Sequence, residues 1–284
     1  MSDTMAEIVG LAERVEGPDG ESLWVLGIAE TDALAVDLSI SRREVEIAAL
    51  RNGVIPRRYQ RSIGTLGIDG QVALLESVVS VVGLGGLGGV VSELLARVGV
   101  GKLILVDADV YDASNLNRQI HCTEQNMGQA KADVCRERIG QINGAVEICH
   151  HRCVLDQTNA RSLLGPSQVV VDCLDNVPDR FLLQKTCRSL GIPLVHGAVA
   201  GTMGQVMVIP AEGEGLERLY GPPCGADRHG VEQFLGNLPT TVAAVAALQC
   251  QELLKIIAGV GDPISDGVLF LDLSRGSFDR VSLP

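Results

Sequence analysis

The stretch that most limits what this chain can fold into runs from Ser77 to Gly101. A β-branched apolar run, Val78 to Val82, leads directly into Gly83-Leu84-Gly85-Gly86-Leu87-Gly88 and then into a segment of helical periodicity. That order predicts a strand, a tight turn and a helix. Glycines at Gly83, Gly85 and Gly88 permit the turn, the close approach of backbone to a phosphate, and tight helix–strand packing, while the helix N-terminus offers N–H groups to an anion. Such a turn also occurs as a plain connector, so its context decides. A second apolar strand, Leu103 to Val106, ends at Asp107, where a nucleotide-binding unit holds an acid against the ribose hydroxyls.

With 284 residues the chain accommodates one large α/β domain and a small appendage. Residues 1–40 read as a small N-terminal extension of short strands or loops around Leu23 to Leu26, and residues 41–284 as the nucleotide-binding domain. At the junction Ser41 and Glu44 have the spacing of a helix capping box. A formal net charge of -12 argues against nucleic acid or an anionic membrane as the working partner. No stretch reads as a membrane span or a signal peptide, so a cytoplasmic location is expected. The eight cysteines lack the spacing of a disulfide framework and read mostly as buried free thiols.

Further polar motifs follow the strands. Arg57-Arg58-Tyr59-Gln60-Arg61 is a basic cluster ahead of the core. Asp107-Ala108-Asp109 leads into a loop carrying Asn115, Asn117 and Arg118, at the strand edge where open α/β sheets bind ligands. Lys131 falls in the first turn of the next helix, where the helix dipole disfavours a cation, and a bound phosphate would supply the reason for it. The run Cys149-His150-His151-Arg152-Cys153 resembles a metal cluster, but alternation along a strand keeps its side chains from converging. Val169 to Val171 marks a central buried strand, and the acids at its carboxyl end include Asp175, predicted to be buried and to hold Mg²⁺ against nucleotide phosphates. A further strand, Pro193 to Val195, is expected to end at His196, which reads as a satisfied core or loop histidine. A buried apolar helix is expected over Thr240 to Ala258, followed by a hairpin over Val268 to Leu283.

Taken together and in order, Arg58-Tyr-Gln-Arg61, Gly83-Leu-Gly-Gly-Leu-Gly88, Asp107-Ala-Asp109, Ser114-Asn-Leu-Asn-Arg118, Gly128-Gln-Ala-Lys131 and Asp172-Cys-Leu-Asp-Asn176 resemble the HesA/MoeB/ThiF family, bacterial relatives of ubiquitin-activating enzymes. The resemblance covers about Arg58 to Ser282. It implies a Rossmann-like, doubly wound and mostly parallel sheet with an antiparallel C-terminal part. It also implies ATP-dependent adenylation of the C-terminal carboxylate of a ubiquitin-like sulfur carrier (MoaD/ThiS-like) with a Gly-Gly end, in a homodimer. By the same resemblance Gly83, Gly85, Gly86, Gly88, Asp109 and Asn176 belong to the nucleotide site, with Gly86 at the phosphates. Asp107 would lie on the ribose, Asn115 and Arg118 near the triphosphate, Lys131 at the α-phosphate and Asp175 on Mg²⁺, with Arg61 supplied by the partner subunit.

Two departures qualify the resemblance. Family members often hold structural zinc between two Cys-x-x-Cys pairs. Here the loop Leu219 to Gly225 has a single cysteine and no second pair follows, so no structural zinc is expected. The segment before the last helix, where some members carry a thiol that takes the product onward, has only Cys224 nearby. Alternative functions are adenylation of a non-protein or tRNA-linked carboxylate, and an NAD-type oxidoreductase, which would leave Lys131 and Asp175 without a task.

Overall fold

The computed structural model describes residues 2–17, 20, 22–222 and 235–283. Its N-terminal unit comprises helix α1 (Ser2–Leu11), strands β1 (Glu13–Glu16) and β2 (Ser22–Leu26), and helix α2 (Ile28–Asp37). The expected short strands are therefore accompanied by two helices. The unit continues beyond residue 40. Helix α3 (Arg42–Arg51) starts at the capping box read from Ser41 and Glu44, and shares a small core of Ile8, Leu26, Leu34, Val45 and Val54 with it. Strand β3 (Val54–Pro56) pairs in parallel with β2, completing a three-stranded sheet.

A buried polar cluster joins this unit to the rest of the molecule. Glu46 of α3, 1% exposed, pairs with Arg58 at 2.9 Å. It also accepts a hydrogen bond from the Tyr59 hydroxyl at 3.1 Å. Asn143 donates in turn to the Tyr59 oxygen and to the Ala96 carbonyl. The ring of Tyr59 lies against Gly99, whose φ of 89° favours glycine.

The main sheet holds eight strands in the order β11-β10-β9-β8-β7-β4-β5-β6. Strands β4 (Val78–Val82), β5 (Lys102–Val106), β6 (Glu147–His151), β7 (Val169–Asp172) and β8 (Leu194–Ala200) run parallel. Strands β9 (Met203–Ile209), β10 (Gly267–Asp272) and β11 (Ser277–Ser282) extend them antiparallel. This is the mixed α/β, mostly parallel, Rossmann-like sheet expected from the sequence. Strand β8 is longer than predicted. It continues past His196 to Ala200 because it pairs with β9 along its whole length.

Alternation along the strands divides the interior into two cores. Val79, Val81, Leu103, Leu105, Val169 and Val171 face one side. There they meet α4 (Ile63–Glu76), α5 (Gly86–Val98), α6 (Lys131–Ile142) and α10 (Pro239–Ala258). Ile104, Val106, Val170 and Leu194 face the other, against α7 (Ala160–Leu164) and α8 (Val177–Leu190). Helix α10 is long and apolar enough to cross a membrane by length and composition, but it packs against α4, α5, β8 and β9, the buried place its sequence predicts. A short helix, α9 (Glu217–Tyr220), lies between β9 and α10.

Because β4 pairs with β5 on one side and β7 on the other, the chain leaves the sheet in opposite directions after β4 and β7. A crevice opens between the two loops, and this switch point is where open α/β sheets take ligands.

Candidate active site

The loop after β4 turns through Gly83 at φ 86°, and a Cβ there would lie 2.6 Å from the Cys173 carbonyl oxygen. Only glycine fits both constraints. A Cβ on Gly88 would run into the carbonyl oxygen of Gly83, so Gly88 brings α5 onto the strand rather than touching a ligand. Gly83, Gly85 and Gly86 line a cavity of about 630 Å³ at the carboxyl ends of β4, β5 and β7. Helix α5 begins at Gly86 with no side chain capping its N-terminus, which leaves N–H groups for an anion.

Asp107, the last residue of the β5 motif, holds the cradle in shape. Its carboxylate accepts from the Leu84 N–H at 2.6 Å and the Asp109 N–H at 2.7 Å. Burial lifts this carboxyl above its ordinary range, against those two hydrogen bonds. Lys131 is the first residue of α6 and is 6% exposed, with Nζ 2.9 Å from Asp109 Oδ2. Asp109 thus accounts for part of the cost of a buried cation at a helix N-terminus. Lys131 and Asp109 both line the cavity.

Arg118 reaches the cavity from the next loop, with Nη1 donating to the Ser114 carbonyl and Asn117 Oδ1. Asn115 does not line the cavity; its side chain closes a capping box with Asp112 and so shapes the loop. Beyond β6, Cys153, Val154 and Leu155 form another wall. Cys149 and His151 lie on one face of β6, 3.3 Å apart, while His150 contacts Asp133. Among the described residues no group of three or more potential ligands gathers at a metal site.

The fourth wall is the loop after β7. Asp175 and Asn176 line the cavity, and Asn176 caps α8 by accepting from the Asp179 N–H at 2.9 Å. The prediction of a buried Asp175 is corrected here. The strand ends at Asp172, which is 0% exposed, and the chain then turns outward so that Asp175 stands exposed at the rim. Asp172 is partnered by His196, with Nδ1 to Oδ2 at 2.7 Å. Gln119, Asp179, Arg180 and Asn237 also line the cavity and were not anticipated from the sequence. Arg180 carried a legible signal as an arginine four positions after a helix cap, Asn176.

Arg61 lies elsewhere, beside a second depression of about 460 Å³ shared with Arg58, Arg97, Leu94 and Leu254 on the flank of α5 and α10. Cys224 lies outside the described residues. Of the seven described cysteines, all free, five are buried. Cys173 lines the cavity, and burial pushes its thiol well above the usual value, which disfavours a nucleophilic thiolate there.

The residues fit a nucleoside triphosphate. A glycine cradle, a helix N-terminus, Lys131 and Arg118 line one cavity, and the solvent-facing carboxylate of Asp175 is a ligand of the kind Mg²⁺ takes beside substrate phosphates.

The ThiF family model matches residues 59–284. The SAMP-activating enzyme E1 of Haloferax volcanii is 37% identical over 235 residues, covering 79% of this chain and 84% of that protein. Molybdopterin-synthase adenylyltransferase of Escherichia coli is 34% identical over 229 residues, covering 80% and 92%. Adenylyltransferase and sulfurtransferase MOCS3 of Sus scrofa is 33% identical over 286 residues, and the match spans 90% of this chain but only 63% of that longer protein. Among solved structures, E. coli MccB with MccA-N7isoASN superposes with a TM-score of 0.69 at 19% identity, covering 80% of this chain and 71% of that one. PaaA superposes with a TM-score of 0.67 at 18% identity, covering 96% and 99%; at such identities the likeness is one of fold. On the extent of the model match and the identity to these relatives, the chain belongs to the ThiF family.

Proposed function

We propose that this chain is an adenylyltransferase that uses ATP to activate the C-terminal carboxylate of a small ubiquitin-like sulfur carrier. The observation that carries the reading is the single cavity in which the glycine cradle, Lys131, Arg118 and Asp175 meet, in a chain whose relatives bear adenylyltransferase names. The NAD alternative has no use for that combination, because a hydride transfer builds no charge on a phosphate.

In this reading the N–H groups at the start of α5 receive phosphate oxygens and Asp107 receives the ribose hydroxyls. Lys131 is assigned to the α-phosphate and Arg118 to the triphosphate, each offsetting negative charge that grows as a carboxylate oxygen attacks the α-phosphorus in line and pyrophosphate departs. Asp109 keeps the Lys131 ammonium aimed into the cavity. Asp175, with Asn176 beside it, would hold Mg²⁺, which when bound supplies further neutralisation of phosphate charge. Arg61 is assigned to the active site of a second copy of the chain in a homodimer, and the carrier is assigned a Gly-Gly end, as the family resemblance implies.

Carboxylate-dependent exchange of labelled pyrophosphate into ATP tests the reading. Exchange is expected with a ubiquitin-like protein ending in Gly-Gly and is lost when the two glycines are removed. Tight binding of NADH with none of ATP overturns it.

A further inference from the structure

Behind the cavity wall, and reaching it at Arg180, lies a group of polar residues to which the proposed adenylation assigns no role. Asp172 and His196 are both 0% exposed, and Arg180 is 6% exposed. Starting from Asp172, Oδ1 accepts from the Leu174 N–H at 3.0 Å. The Leu174 carbonyl accepts from Arg180 Nη2 at 2.7 Å. Arg180 Nη1 donates to the Tyr220 hydroxyl oxygen at 3.1 Å, and that hydroxyl lies 3.1 Å from His196 Nε2. His196 Nδ1 then meets Asp172 Oδ2 at 2.7 Å. The hydrogen bonds close into a ring.

The chemistry of each member sets the direction. Burial pulls the His196 imidazole below its ordinary pKa, although Asp172 works to raise it, so at neutral pH one ring nitrogen carries a proton. A carboxylate only accepts, so Nδ1 holds that proton and Nε2 accepts from the Tyr220 hydroxyl. The Tyr220 oxygen is then a stronger acceptor for Arg180. Its ring packs edge-on to His196, with centroids 5.8 Å apart. Asp172 is held again from the other side of the sheet, where Gln249 of α10 donates to its backbone carbonyl at 2.8 Å.

We infer that Arg180, Tyr220, His196 and Asp172 form a positioning ring that clamps both the N–H and the carbonyl of Leu174, and thereby fixes Asp175, the next residue, in the orientation that receives a divalent cation. The inference rests on the proposed role of Asp175 but concerns residues that role leaves unassigned. None of the four is a ligand in this scheme; they act through the peptide that precedes one. Tyr220 comes from α9, in the connection between β9 and α10, so the ring also ties that connection to the nucleotide loop.

Tyr220→Phe removes one hydroxyl and keeps the ring contact, and Arg180→Lys keeps the charge but not the two-pronged geometry. Two measurements on each full-length variant decide. The first is amide hydrogen exchange across residues 173–176 in nucleotide-free protein, expected to be about tenfold faster than in the wild type. The second is ATP affinity with and without Mg²⁺. In Tyr220→Phe, affinity without the metal should stay within about twofold, while in both variants the tightening brought by Mg²⁺ falls about tenfold, as for partners that orient a metal ligand. Unchanged exchange overturns the ring as a clamp, whatever the metal result. Faster exchange with unaltered Mg²⁺ tightening overturns its role toward Asp175. Failure of the wild type to bind ATP would overturn the proposed function instead, and the exchange measurement would still decide the clamp.

Discussion

Asp175 is where a single residue's environment matters most. It is exposed at the cavity rim, so replacing its carboxylate by an amide disturbs no packing and should change stability by no more than about 0.5 kcal/mol. The effect on the reaction should be large, because the amide cannot neutralise phosphate charge in the transition state. Asp175→Asn is expected to slow pyrophosphate exchange about a thousandfold while leaving the melting temperature unchanged. Wild-type exchange in saturating Mg²⁺ would remove Asp175 from the metal role. Asp172→Asn should behave in the opposite manner, with stability lost first, since its carboxylate is fully buried and partnered by His196.

Between elements, the joint of α5 and α6 rests on one acid. Glu93 of α5, 8% exposed, receives Arg97 of its own helix and Arg138 of α6. Burial works to raise its carboxyl, but hydrogen bonds and charge from Arg138 and Arg97 outweigh it and bring the pKa from 4.5 down to about 2. Between those values the unfolded chain binds the extra proton, so this stabilisation is complete above 4.5 and is lost as pH falls through about 2. Glu93→Gln is expected to cost about 2 kcal/mol at neutral pH. Urea unfolding should show the deficit shrinking as pH falls through that window. A deficit of the same size at both ends would show that the helix joint depends on packing and not on charge.

For the whole molecule, the separation of Arg61 from the cavity is the informative fact. Tyr59 of the same motif is buried, and Arg58 half-buried, in the cluster with Glu46 and Asn143, which anchors the arm and leaves Arg61 exposed three residues on. Anchored this way, Arg61 meets the flank of α5 and α10 and not its own chain's nucleotide cradle. If two copies share active sites, mixing Arg61→Ala with Lys131→Ala chains places both lesions in one site and leaves the other intact. Random re-pairing should then restore about a quarter of wild-type exchange. Mixed dimers with no activity would put Arg61 outside the reaction.

What the sequence determined by itself was whatever depends on near neighbours or on strand and helix period. The cradle Gly83 to Gly88, the capping box at Ser41, and the places of Arg118 and Asp175 in loops after strands and of Lys131 in the first turn of a helix were all legible, because each is specified within a few residues of chain. Tertiary structure alone decided which of the two acids, Asp172 or Asp175, is buried, since that depends on β8 lying beside β7 and bringing His196 to Asp172. It likewise decided that Asn115 shapes a loop, and that Tyr220 and Arg180, 40 positions apart, share a hydrogen bond. A buried charge is tolerated only where a partner arrives from elsewhere in the chain, and only the packed fold shows which partner that is.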